Sequence, residues 1–149
     1  MYIKKITVIS AITVAIAATA IGGGHSPIEQ RQAAMKAVGG QMRTLGGMAQ
    51  GKVAYDDFAA ISALEIMRDA AMTARPLFPS GTEMGFETRA KPEIWAEGSE
   101  FDAIMGQLIA NLDAAIAAEP ADLASYRPLF GAVAGTCKAC HEKYRAPEN

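Results

Sequence analysis

Cysteine, histidine and tryptophan are scarce in this chain, whose 149 residues hold two, two and one of them. A closed zinc site needs four ligands, and the only histidine besides His141 is His25, near the start of the chain, so such a site is a poor reading. Aromatic residues make up 7%, and the β-branched residues crowd into the first stretch, which leaves little from which to build strands. A basic excess is also missing: 14 Lys and Arg stand against 16 Asp and Glu. Nucleic acid is thereby excluded as a partner, because no field of the required sign exists. The remainder is rich in Ala and apolar side chains, favouring helices throughout one domain.

The first residues stand apart. Lys4 and Lys5 precede an uncharged apolar run over residues 6–20 that closes on Ala18-Thr19-Ala20, the small-x-small pattern of a cleaved secretory signal peptide. The run is shorter than the ~20 residues a spanning helix needs, and Gly22-Gly23-Gly24 follows it, so export is preferred to an uncleaved anchor. The expected division is a leader at 1–20 and a mature domain at 21–149, with 12 basic and 16 acidic residues.

Four amphipathic helices are predicted. Ser26-Pro27-Ile28-Glu29 spells a capping box with proline at the first helical position, and Ile28, Met35, Val38, Met42 and Leu45 form a stripe behind it. Asp56 and Asp57 open a second helix carrying Phe58, Ile61, Leu64 and Met67, ended by Pro76. Residues 75–92 hold three prolines and two glycines without a period and read as a longer crossover loop. A third helix is expected from about Pro92, with Phe101, Ile104, Leu108, Leu112 and Ile116 inward, stopping at Pro120. A fourth carries Phe130, Val133, Cys137, Cys140 and Tyr144, its beginning delayed or kinked by Pro128. Four such stripes are buried most economically in a four-helix bundle, an all-α fold.

Both cysteines fall in Cys137-Lys138-Ala139-Cys140-His141, the C-x-x-C-H pattern of c-type haem attachment. On a helix these three side chains stand at i, i+3 and i+4, so two thiols and an imidazole leave one face and can meet the two vinyl groups and the iron of one porphyrin. A redox-active disulfide is the competing reading, but that chemistry sits at a helix start behind a strand, and no strand precedes Cys137. A purely structural cysteine pair is the third.

The C-terminal position of this motif, the Arg31-Gln32-Ala33-Ala34-Met35 run, the Gly51-Lys52-Val53-Ala54-Tyr55-Asp56 connection and Lys91-Pro92-Glu93-Ile94-Trp95 resemble class II cytochromes c, the cytochrome c' and cytochrome c-556 family. The resemblance spans essentially the whole mature chain. It implies a periplasmic haem protein, not an enzyme, with one covalent haem on Cys137 and Cys140, iron held by His141, and the haem in the bundle core. It also implies Met35 at the sixth position, Arg31 on a propionate, and Phe78 and Arg145 in the haem environment; Trp95 and Tyr144 read as packing. With Met35 bonded, the expected function is single-electron transfer to redox partners that the sequence does not name. With Met35 only packing, the alternative is a high-spin protein that binds nitric oxide or carbon monoxide. Many relatives pair through helices one and two, which extends a homodimer of that kind to this chain as an open alternative.

Overall fold

The computed structural model describes residues 26–148, so the signal-peptide expectation lies outside the described residues. Four helices, α1 (Pro27–Ala49), α2 (Asp57–Ala74), α3 (Phe101–Ala117) and α4 (Leu123–Tyr144), pack in a ring: α1 on α2, α2 on α3, α3 on α4 and α4 on α1. The long connection lies between α2 and α3, as the proline and glycine content predicts, and is interrupted only by a 3-10 turn at Pro92–Ile94.

Local chemistry sets the helix starts. The Ser26 hydroxyl accepts from the Glu29 amide at 3.2 Å, and the Glu29 carboxylate accepts from the Ser26 amide at 2.9 Å, completing the capping box. Asp56 caps α2 by accepting from the Ala59 amide at 2.7 Å. α4 begins before Pro128 rather than after it, because Asp122 accepts from the Ser125 amide at 2.8 Å and fixes the first turn upstream. Pro128 is carried inside that helix, where it has no N–H to offer the Ala124 carbonyl.

Two expectations need correction. Pro92 opens one 3-10 turn and not α3, because Gly98 adopts a left-handed φ of 72° and breaks the path before the helix starts at Phe101. Phe58 is 82% exposed and lies off the inner stripe, which runs through Ala60, Ala63, Leu64, Met67, Ala71 and Ala74.

The apolar interior has two parts. The larger fills the bundle body around Leu45, Leu64, Met67, Leu112, Tyr126 and Val133. The smaller gathers Ala34, Ala74, Ile94, Phe101, Met105 and Tyr144 at the end where the crossover loop meets the close of α4. An isolated antiparallel bridge ties Ala90 to Arg145 there: the Lys91 amide donates to the Tyr144 carbonyl at 3.0 Å and the Ala146 amide to the Arg89 carbonyl at 2.8 Å. None of the described helices is long and apolar enough to cross a membrane.

Candidate functional site

One cavity opens beside the smaller apolar cluster. Cys140, His141 and Tyr144 line it from α4 and Arg145 from just beyond that helix, Arg31, Gln32 and Met35 from α1, and Phe101 and Met105 from α3. Phe78 and residues 87–90 of the crossover loop, with Ile94, complete the wall. It encloses about 200 Å³ and is open on one side, and its lining is mostly apolar, as a porphyrin requires.

The motif residues divide between the two halves of the core. Cys140 and His141 face the cavity, whereas Cys137, one turn earlier, packs against the larger cluster. Both cysteines are half-buried and are not joined to each other. Burial pushes both thiols up, Cys140 to about 11 with Cys137 adding to the effect. They stand in the last turns of α4, where the helix dipole disfavours a thiolate, the reverse of a redox-active pair at a helix start. No group of three or more metal-ligating side chains occurs among the described residues. His141 is held below its ordinary value by burial and by the neighbouring Arg145 and Arg89 charges, so its imidazole is neutral and has a lone pair to give.

Met35 is half-buried, packed on the smaller cluster, and lines the same cavity as His141. Met105 is a second thioether there, 2% exposed. The sequence stripe on α3 passes it by, since Ile104 competes for the inward position and is only half-buried. Arg89 was missed too, lying in a segment without a period; its side chain donates to the Ala146 carbonyl at 2.9 Å and pairs with Glu148. Tyr144 and Trp95 behave as packing, with Phe101 edge-on to Tyr144 at 5.5 Å and the Trp95 Nε1–H donating to the Phe78 carbonyl at 2.9 Å.

Arg31, which resemblance assigns to a propionate, is bonded to the crossover loop. It is 3% exposed, and its four terminal N–H groups are taken up by the crossover loop. Nη1 donates to the Leu77 carbonyl and the Thr82 hydroxyl, and Nη2 to the Thr82 carbonyl and the Thr88 hydroxyl, at 2.7 to 3.2 Å. A carboxylate would have to displace these acceptors to claim the same hydrogens.

A four-helix bundle with one apolar cavity beside a C-x-x-C-H helix end is the architecture of a class II c-type cytochrome. The sequence pattern of the cytochrome c' family matches residues 26–145. A cytochrome c' of Rhodopseudomonas palustris is 32% identical over 124 residues, covering 82% of this chain and 83% of that protein. A cytochrome c-556 of Agrobacterium tumefaciens is 32% identical over 118 residues, covering 79% and 95%. A solved nitric oxide complex of a cytochrome c' variant from Alcaligenes xylosoxidans superposes with a TM-score of 0.72 at 29% identity, covering 81% of this chain and 94% of that one. The chain belongs to the cytochrome c' family, and is a haem protein rather than an enzyme, with covalently attached c-type haem.

Proposed function

We propose that this is a periplasmic cytochrome c' whose haem is bonded to Cys137 and Cys140, held at the iron by the neutral imidazole of His141, and open to a small gas ligand on the side lined by Met35. The observation that carries the reading is the seating of Met35: its side chain packs on the apolar cluster of Ala34, Phe101 and Met105 while lining the cavity that His141 faces. Such a methionine acts as an apolar wall, excluding water and anions but not nitric oxide or carbon monoxide. The nitric oxide complex of the Alcaligenes relative supports the same choice. Haem iron would supply the ligand-binding and redox chemistry when bound; the chain would supply attachment through Cys137 and Cys140, a neutral imidazole nitrogen on His141 and a mostly apolar cavity. The Arg89 and Arg145 charges beside His141 add to burial in keeping that nitrogen unprotonated.

A second reading is single-electron transfer with the Met35 sulfur as sixth ligand. It is favoured by Met35 and His141 lining the same cavity and by the c-556 relative. An optical spectrum of the reduced protein, before and after carbon monoxide, decides between the two. The expected result is a high-spin spectrum that shifts at once on adding the gas. Met35→Ala should then leave the spin state unchanged and cost about 2–5 kcal/mol of stability through the cavity it opens. A native protein that is low-spin in both oxidation states, and becomes high-spin only in Met35→Ala, would establish the electron carrier instead.

A further inference from the structure

The crossover loop forms one wall of the cavity, yet it contains almost no regular structure of its own. Its backbone is costly to hold: Gly81 and Gly85 have φ values of 89° and 109°, and Phe86 and Glu87, which have side chains to clash, adopt 47° and 51°. Left alone, such a segment relaxes. What opposes relaxation comes chiefly from two adjacent residues of α1. Gln32 donates to the Phe86 carbonyl at 3.0 Å. Arg31 engages both ends of the loop at once, through Leu77 on one side and Thr82 and Thr88 on the other. Its guanidinium also lies 4.6 Å from the Phe78 ring centre and 5.5 Å from that of Trp95. The loop acceptors are themselves oriented, since the Thr82 hydroxyl donates to the Pro79 carbonyl at 2.8 Å and the Thr88 hydroxyl accepts from the Ala90 amide at 3.3 Å. A planar five-donor cation is the one side chain that can make these bonds together, and burial of an unpaired charge would be prohibitive.

We infer that Arg31 is a positioning residue, a latch that holds the crossover loop closed as a wall of the cavity and thereby limits how fast small ligands reach the haem. The loop part stands on the hydrogen bonds alone; the access part rests on the proposed ligand-binding reading. Phe78, Thr88 and Glu87 all line the cavity; the guanidinium touches Phe78 and Thr88 directly and reaches Glu87 through its neighbour Thr88, while Trp95 separately holds the Phe78 carbonyl. Releasing it would let the Phe78 ring and residues 82–88 move outward together.

The test uses haem-loaded protein and two variants. Arg31→Lys keeps the charge but loses the fork, and Thr82→Val with Thr88→Val removes two acceptors while leaving Arg31 free to pair with a haem propionate. Cleavage by a glutamate-specific protease at Glu83 and Glu87 should rise about tenfold or more in both, the factor expected for loss of one charge-assisted hydrogen bond. The association rate of carbon monoxide with the reduced protein should rise in parallel. Unchanged cleavage in the threonine double variant overturns the latch. A spectrum altered in Arg31→Lys, with cleavage at the wild-type level, overturns it in favour of propionate pairing. Faster cleavage with an unchanged carbon monoxide rate refutes the control of access while leaving the latch in place. If the native protein takes up no carbon monoxide, the ligand-binding reading has failed, and the cleavage ratio still decides the latch.

Discussion

The side chain of Tyr126 is wholly buried in the bundle body, between Tyr55 at 5.1 Å and the stacked ring of Phe130 at 5.6 Å. Its hydroxyl donates to the Leu45 carbonyl at 3.0 Å, joining α4 to α1. Burial, with a smaller push from Tyr55, raises this phenol well above the ordinary value of 10.0. A group that binds its proton more tightly folded than unfolded contributes nothing to pH dependence below its unfolded value, and destabilises the fold progressively above it. The contribution of this phenol should therefore hold level up to about pH 10 and fall beyond it. Tyr126→Phe should flatten that alkaline fall in chemical denaturation while costing about 1 kcal/mol at neutral pH for the lost hydrogen bond. An unaltered alkaline limb in the variant would mean that another group carries the effect, with Tyr55 next in line.

Among the elements, α2 presents the least settled surface. Phe58 is 82%, Ile66 44% and Met72 54% exposed, and their spacing puts them within about a third of the helix circumference. Apolar side chains grouped in this way suit the homodimer that resemblance extends to helices one and two. The expected result is a sedimentation mass of two chains at micromolar concentration, reduced to one by Phe58→Glu; a wild-type mass of one chain would count against pairing. Phe58 also shows where pattern reading falls short. Its spacing from Ile61 is helical, but burial on α2 follows small alanines at 60, 63, 71 and 74, which carry little hydrophobic signal and are buried because neighbouring backbones come close. The same holds for α3, where Met105 and Ile104 are adjacent and only packing decides which turns inward. Caps, by contrast, are local chemistry, so Ser26 and Asp56 were legible and the helix starts with them. Of the site, Cys140, His141 and Met35 were readable from motif and stripe. Arg89 and the loop partners of Arg31 were not, because they depend on a connection whose path no periodicity describes.

At the scale of the whole molecule, the attachment motif straddles two cores. Cys137 belongs to the bundle body and Cys140 to the cavity end, so a porphyrin bonded to both would staple the two halves together. Replacing both cysteines with alanine should accordingly loosen the chain unevenly. Amide exchange should accelerate in the crossover loop, Glu93 and Ile94 included, by far more than in the middle of α2 and α4, while most helical circular dichroism is kept. Uniform acceleration throughout would show a single cooperative unit instead. The Ala90–Arg145 bridge adds a further consequence, one of time. It joins the end of the crossover to the end of the last helix, closing a circuit of chain that runs through the whole of α3 and α4 for the return of two hydrogen bonds. Closing so long a circuit costs entropy that two bonds cannot repay until both helices are already docked. The wall of the cavity is therefore expected to finish last during folding and to be released first during unfolding, so that the bundle body assembles before the place for its cofactor has a fixed shape.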